Sequence, residues 1–178
     1  MATWDTDAET TNPVDFRLVR NGFVTMFWDP SLLDATVDSL RSSAYRVVEF
    51  DADEWSSDAE MYEDVATRLG FPSYFGRNLD ALNDCMSDVA SGSYGWDAAA
   101  DKGLVIVLKA FEVFAARDRW TAQKLLDVVA AQARSAMLIG HRVICLVQSN
   151  DARLGFEPVG AMPVMWNDAE SVNAERGL

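Results

Sequence analysis

Apolar residues along the chain form short uninterrupted runs that alternate with longer stretches at helical spacing. The runs at 45–50, 103–109 and 141–149 are rich in aliphatic and β-branched residues, which is typical of strands. The second and third show no regular alternation with polar residues, which indicates strands buried on both faces of a sheet. Strands separated by helices predict an α/β fold with a largely parallel sheet.

Helical spacing and helix-ending signals predict four helices between these strands and before them. The first opens at the Asp-Pro-Ser motif of residues 29–31 and ends near Ser43, and the second is stopped by Gly70. The third covers about 79–90 and the fourth about 119–138. Their apolar residues recur on one side of each helix, which is the pattern of helices packed on a sheet.

The two ends of the chain carry weaker signals. Residues 1–15 are rich in Thr, Asp and Asn and predict a flexible tail. Asn21-Gly22, between the apolar segments 16–20 and 23–28, predicts a β-hairpin because both turn positions tolerate positive φ. Near the C-terminus only one short edge strand is indicated, beside two prolines.

The length of 178 residues fits one domain of ordinary size. We therefore expect a single domain over 16–178, with a core at about 45–149, an N-terminal hairpin and helix extension at 16–44, and a C-terminal extension at 150–178.

The chain is strongly acidic, with 15 Lys and Arg against 28 Asp and Glu and a net charge of −13. This balance argues against binding to nucleic acid or an anionic membrane, because a phosphate backbone is held by a basic patch. The acid is concentrated in residues 45–90, which carry eleven acidic and three basic side chains. A basic partner and simple solubility are both compatible with this charge, and any functional electrostatic field is to be sought in that segment.

Histidine and cysteine are too few for most catalytic or metal sites. His141 is the one histidine of the sequence, which excludes sites that need two imidazoles, including most zinc sites. Cys85 and Cys145 are far apart and predict reduced thiols. The acidic start lacks the pattern of a signal sequence. We expect a soluble cytoplasmic protein, monomeric, with no cofactor or metal.

An aromatic loop followed by a two-sided helix carries the strongest chemical signal. Pro72 and Gly76 break regular structure in the loop, and Asn78 is a cap residue. On a helical wheel the apolar residues form one stripe that must face the core; they are Leu79, Leu82, Cys85, Met86 and Val89. The carboxylates on the opposite side form a row at i, i+4 and i+8; they are Asp80, Asp84 and Asp88. A solvated acidic face is the simpler interpretation, but the neighbouring aromatic residues favour a partner-binding surface.

The segment 71–86, with the sequence FPSYFGRNLDALNDCM, resembles the signature of the barstar family, inhibitors of the ribonuclease barnase. That signature is Pro-x-Tyr-Tyr-Gly-x-Asn-Leu-Asp-Ala-Leu-Trp-Asp-Cys-Leu, and looser similarity extends over about 45–149. The resemblance implies a three-layer α/β fold with a small, mainly parallel sheet flanked by helices. It also implies a one-to-one inhibitor of a basic, barnase-like microbial ribonuclease, which would act as a bacterial immunity protein or antitoxin.

The resemblance further implies roles for single residues. Asp84 would enter the phosphate-binding site of the nuclease, and Asp80 would pair with neighbouring cations. Tyr74 and Phe75 would pack on the nuclease, and Gly76 would allow a close backbone approach. The complete candidate set for partner binding is Tyr74, Phe75, Gly76, Arg77, Asn78, Leu79, Asp80, Asn83, Asp84 and Asp88.

The sequence departs from the family signature at three candidate positions. Phe75 replaces a tyrosine, Arg77 stands where an acid is common, and Asn83 replaces the tryptophan. These changes predict a partner that differs in detail from barnase. A further acidic contact of the family falls near Gln123 or Lys124 and has no secure counterpart.

Two alternative functions remain open at this point. The first is binding of a different cationic toxin by the same acidic face. The second is a magnesium-dependent phosphatase that uses Asp51 and Asp53, two carboxylates after a predicted strand. That site is weaker because Trp55 stands where a small residue is expected and no later acidic pair completes it. Asp53 or Ser56 near a helix cap is the better interpretation.

Overall fold

A computed structural model of the chain describes residues 13–178; residues 1–12, which hold most of the predicted tail, lie outside it. One five-stranded sheet runs through the molecule in the order β2-β3-β4-β1-β5, and every pairing between its strands is parallel. The strands are β1 Val24–Phe27, β2 Tyr45–Asp51, β3 Gly103–Lys109, β4 Val143–Gln148 and β5 Met165–Trp166. The predicted α/β fold class is confirmed.

Helices cover both faces of this sheet and make three layers. They are α1 Val14–Val19, α2 Pro30–Ser42, α3 Asp58–Leu69, α4 Leu79–Ala90, α5 Phe111–Arg117 and α6 Arg119–Leu138. Successive residues of β3 alternate between the two cores: Val105 and Val107 pack with α1 and α2, while Leu104 and Ile106 pack with α3 to α6. This two-sided burial explains why the sequence of β3 has no polar alternation.

The predicted N-terminal hairpin is wrong. Most of its first strand is helix α1, in which Leu18 is buried, and its second strand became β1 in the interior of the sheet. Neighbours β4 and β5 occupy both edges of β1 in parallel, so no edge is free for an antiparallel partner. Asn21-Gly22 still makes a turn, with Gly22 at φ 149°, but the turn connects a helix to a strand.

The predicted tail also ends earlier than residue 15. Helix α1 begins at Val14, and the Asp15 carboxylate accepts hydrogen bonds from the Tyr45 hydroxyl at 2.7 Å and pairs with the Lys102 ammonium at 2.8 Å. These partners, together with its backbone contact, lower the pKa of Asp15 despite partial burial. Asp15 thereby fastens α1 to the end of the sheet where β2 and β3 begin.

The other predicted elements agree with the structure within about two residues. The strand runs became β2, β3 and β4, the four helices became α2, α3, α4 and α6, and the edge strand became β5. Helix α5 was not predicted, because it has seven residues and its N-cap, Ala110, carries no capping side chain. The cap of α3 is Ser57, whose hydroxyl accepts from the Glu60 N–H, and not Asp53 or Ser56.

The C-terminal segment is fastened to the end of β1 by a buried carboxylate. Glu170 is 3% exposed and accepts hydrogen bonds from the backbone N–H groups of Trp28 at 3.0 Å and Asp29 at 2.6 Å. Arg176 donates to the Glu170 carbonyl oxygen, and its guanidinium lies 4.7 Å from the centre of the Trp166 ring. We propose from these contacts that the described chain folds as one domain, extensions included.

No helix within residues 13–178 has the length and apolar character needed to cross a membrane.

Replacing Glu170 by Ala should lower the free energy of unfolding by about 2 kcal/mol, because two backbone donors at the start of α2 lose their acceptor. Urea denaturation followed by circular dichroism measures the change. Glu157→Ala is the matched control, since its exposed side chain accepts none of the hydrogen bonds described. Equal stability of the two variants would contradict the single-domain proposal.

Candidate functional site

The loop between α3 and α4 is held down by edge-to-face aromatic contacts. The Phe75 ring centre lies 5.1 Å from that of Phe71 and 6.1 Å from that of Tyr62 on α3, and Phe71 also contacts Tyr94 at 5.9 Å. Tyr74, in contrast, is 80% exposed. Phe75 therefore anchors the loop with most of its ring, and Tyr74 is the aromatic side chain that the loop presents to solvent.

The end of the loop is fixed by a helix cap. The Asn78 side-chain oxygen accepts from the Ala81 N–H at 2.9 Å, and its amide nitrogen donates to the Gly76 carbonyl at 3.2 Å. A Cβ at Gly76 would lie 3.1 Å from that amide nitrogen, so a larger residue would press on the cap. Asn78 and Gly76 therefore set the path of the chain into α4, in addition to any contact with a partner.

Arg77 is tied to the body of the molecule. It has a left-handed backbone conformation, with φ 50°, and its guanidinium forms an ion pair with Glu63 on α3. Both side chains are more than half exposed, so the pair contributes little to stability. The ion pair instead changes the electrostatic field at the surface, because the negative charge of Glu63 offsets the positive charge of Arg77, the one cation in the loop.

Helix α4 has the two faces that its sequence predicts. Leu82, Cys85, Met86 and Val89 are buried, and Leu79 is partly buried. The carboxylates on the other side are all exposed; they are Asp80, Asp84 and Asp88. Burial of the apolar face fixes the rotation of the helix, so the acidic row points into solvent.

Within residues 13–178, none of these three carboxylates forms an ion pair, and Asp80 and Asp84 accept no hydrogen bond. Asp88 accepts from the Tyr94 hydroxyl at 3.3 Å, and the same hydroxyl donates to the Cys85 carbonyl at 3.0 Å. Burial and these acceptors raise the pKa of Tyr94, so it remains a donor. Asp80 and Asp84 are therefore the acids left open for cations from outside.

Asn83 connects the acidic helix to α6. Its side-chain oxygen accepts from the Gln132 amide at 2.9 Å, and both residues are partly buried. Asn83 is thus a packing residue as well as a candidate contact. Sequence reasoning missed Gln132, since a Gln in the alanine-rich second half of α6 carries no motif.

The two positions considered for a further family contact have other partners. Gln123 exchanges hydrogen bonds with the backbone of Glu157 in the C-terminal segment, both at 3.1 Å. Lys124 lies 3.8 Å from the Asp127 carboxylate on its own helix. Neither provides an acidic group.

The remaining reactive side chains are placed for packing. His141 lies with Nδ1 3.1 Å from the Ala90 carbonyl and its ring edge-on to Trp96. Cys85 and Cys145 are buried, and burial raises the pKa of the Cys145 thiol to about 12. None of these groups is arranged as an activated nucleophile or base.

Few side chains that could complete the alternative phosphatase site lie near its two carboxylates. Asp51 ends β2 and Asp53 lies in the short 3-10 helix Ala52–Glu54, both exposed. Arg117 donates to the backbone carbonyl of Asp53 at 3.1 Å and not to its carboxylate. In the described part of the chain, no group of three or more His, Cys, Asp or Glu side chains is placed to hold a metal ion.

Comparison with known proteins agrees with this geometry. The family model described as Barstar (barnase inhibitor) matches residues 45–148, more than half of the chain. The chain belongs to the barstar family. The matched segment runs from β2 to β4 and contains the aromatic loop and the acidic helix; β1, β5 and the C-terminal segment lie outside it.

A curated relative from Bacillus subtilis (strain 168), named "Putative ribonuclease inhibitor YrdF", is 37% identical to this barstar-family chain over 67 residues. The alignment covers 38% of the chain and 63% of the relative, which is less than two thirds of its length.

Replacing Asn78 by Ala should lower the free energy of unfolding by about 1 kcal/mol, because the Ala81 N–H loses its acceptor. Asn78→Asp keeps an acceptor oxygen and should stay close to the wild type. Chemical denaturation of both variants measures the difference. If both variants lost a similar amount of unfolding free energy, the hydrogen bond of the cap would not be the cause of the loss.

Proposed function

We propose that this protein inhibits a basic, barnase-like microbial ribonuclease by covering its active site. The observation that carries the proposal is the acidic row of α4, in which Asp80 and Asp84 are exposed and form no ion pair with any cation among residues 13–178. Membership of the barstar family and the printed name of the Bacillus relative support the same function.

The proposed mechanism is electrostatic replacement of the substrate. A ribonuclease cleft binds RNA phosphates with cationic side chains, and carboxylates one helical turn apart, about 5–6 Å, offer those cations alternative partners. Asp84 lies in the middle of the row and is assigned to the phosphate-binding site, with Asp80 on its flank. Docking would exclude water from the interface. This exclusion would strengthen the ion pairs, provided that each buried charge has a partner.

The aromatic loop supplies the apolar part of the contact. Tyr74 is already in solvent, so its ring can be buried against the partner without disturbing the loop, and tyrosine is frequent among residues that dominate binding energy. Phe71 and Phe75 keep the loop in place beneath it. A loop ordered before binding loses less conformational entropy on association.

This function needs no reaction on the inhibitor itself. In this proposal the protein is a binding protein that needs no cofactor or metal, forms a one-to-one complex in the cytoplasm, and acts as an immunity protein or antitoxin. The ion pair of Arg77 with Glu63 lowers the repulsion that Arg77 would otherwise exert on a cationic cleft.

Titration of a barnase-type ribonuclease with the protein should abolish RNA cleavage at one equivalent. The Asp80→Ala/Asp84→Ala variant should bind on the order of a hundredfold or more weakly, because buried cations of the partner lose their counter-charges. A fluorogenic RNA substrate reports the residual activity. A guanyl-specific microbial ribonuclease is tested in parallel.

The matched control is Asp34→Ala/Asp38→Ala, which removes two exposed acids at the same spacing from α2, on the opposite face of the sheet. If the folded wild type inhibits the ribonuclease and the Asp80→Ala/Asp84→Ala variant inhibits it equally well, the assignment of the binding site to α4 is refuted. Absence of inhibition of either enzyme would refute the ribonuclease proposal and favour a different cationic toxin.

Asp84 and the peripheral acids should affect different rate constants. Asp84→Ala should mainly speed dissociation, because it leaves buried charges unpaired, whereas Asp58→Asn should slow association by about two- to threefold and flatten its salt dependence. Asp58 is preferred to Glu60, whose carboxylate accepts from the Ser56 N–H and hydroxyl. Stopped-flow kinetics at two salt concentrations separates the two effects, and equal changes in both rate constants for both variants would refute a central position for Asp84.

A further inference from the structure

We propose that a cavity between α1 and the end of α6 binds a small apolar monocarboxylate, whose anionic group pairs with Arg142. The cavity is bounded by these two helices and by the first residues of β2 and β4, and is called the α1–α6 cavity below. Its volume of about 380 Å³ lies in the range of about 300–1,000 Å³ that is typical of ligand pockets. The inference is independent of the proposed function, because it uses none of the candidate partner-binding residues.

The α1–α6 cavity lies where two helices leave the amino ends of the strands uncovered. Helix α1 has six residues, and α6 ends at Leu138. Gly140, with φ 85°, then turns the chain towards β4. Tyr45 at the start of β2 and Val143 at the start of β4 line the cavity from the sheet. The fold therefore builds the cavity from regular elements and not from one loop.

Most of the lining of the α1–α6 cavity is apolar. Phe16 on α1 is 53% exposed and Met137 on α6 is 47% exposed, while Val19 and Phe23 are partly buried. Folding thus leaves apolar surface in water around a concave space, and a ligand with an apolar body would bury it. The apolar side chains that line the cavity include Phe16, Val19, Phe23, Ala133, Met137 and Val143.

The polar end of the cavity carries one positive charge in excess. Oδ2 of Asp15 accepts from the Tyr45 hydroxyl at 2.7 Å and lies 2.8 Å from the Lys102 ammonium and 3.4 Å from Nη1 of Arg142. Two cations therefore share one carboxylate, and Lys102 is the closer. The side chain of Arg142 is 52% exposed, and a guanidinium has five N–H donors. Arg142 can therefore donate to a further anion.

This charge balance selects the class of ligand. One excess positive charge matches a monoanion, and a carboxylate can accept two parallel hydrogen bonds from the planar guanidinium. A phosphate dianion would need a second cation, and Arg142 is the one Lys or Arg that lines the cavity within residues 13–178. A cationic ligand would have to compete for Asp15, whose side chain is 12% exposed and already holds Lys102. An apolar monocarboxylate fits both ends of the cavity.

Isothermal titration calorimetry with octanoate tests the site in the full chain, without any ribonuclease. Octanoate should bind one to one, with a dissociation constant on the order of 0.1 mM. Acetate has the carboxylate without the chain, and octan-1-ol has the chain without the charge. Each should bind about tenfold or more weakly than octanoate, because each satisfies one end of the cavity.

Four variants locate the site of binding. Arg142→Gln should weaken octanoate binding by about tenfold or more, because a charge-assisted hydrogen bond is lost, and Phe16→Ser by about threefold. The matched controls are Arg17→Gln and Met165→Ser, at exposed residues that line a separate cavity of about 300 Å³ between α1, α2 and β5. Both controls should bind octanoate as the wild type does. Arg142→Lys keeps the charge and should bind more tightly than Arg142→Gln.

Circular dichroism verifies that each variant is folded, and sedimentation velocity tests a second copy of the chain as the alternative occupant. Failure of the folded wild type to bind octanoate at millimolar concentration would overturn the inference. So would equal binding of octan-1-ol, or a loss of binding in Arg17→Gln that Arg142→Gln does not show. A dimer that Phe16→Ser dissociates would also overturn it, because the cavity would then be covered by a second chain.

Discussion

Burial of one face of α4 determines where the acidic row points, and the rest of the candidate site depends on it. Leu82, Met86 and Val89 lie in the core between the sheet and the neighbouring helices, and these contacts fix the rotation of the helix about its axis. With the apolar stripe turned inward, helical geometry leaves Asp80 and Asp84 on the outer side. Large apolar side chains therefore position the charges, of which Asp80, in the first turn, is also favoured by the helix dipole.

The site carries a small energetic cost that the fold tolerates. Like charges at i, i+4 oppose helix formation by a few tenths of a kcal/mol per pair, whereas burying one leucine or methionine of α4 stabilises by about 1.5–3 kcal/mol. The cap at Asn78 and the ring contacts of Phe75 add to the favourable side. These favourable contributions exceed the repulsion between the carboxylates. A row of unpaired carboxylates can therefore remain ordered in water, which is the condition for rapid and specific pairing with a cationic surface.

Patterns within one segment predicted most of the fold and the two faces of α4, because burial and helical spacing act locally. The hairpin failed for the opposite reason: whether the segment before Asn21-Gly22 pairs with the strand after it depends on β4 and β5, which are far away in sequence. The same limit applies at the site. The inward packing of Phe75 needs Tyr62, and the role of Asn83 needs Gln132. No spacing rule connects those residues, since only the tertiary fold brings them together.

The extensions outside the family match sit where they can stabilise the sheet without reaching the proposed interface. Strand β1 pairs with β4, whose second edge would otherwise be open, and β5 pairs with β1 in turn. Helices α1 and α2 cover the face of the sheet opposite α4, and Glu170 fastens the C-terminal segment to the end of β1. An open strand edge invites pairing with other chains, so these additions protect the sheet. They leave the surface formed by α4 and the aromatic loop free, which is why differences in partner recognition are to be sought at Arg77 and Asn83 and not in the extensions.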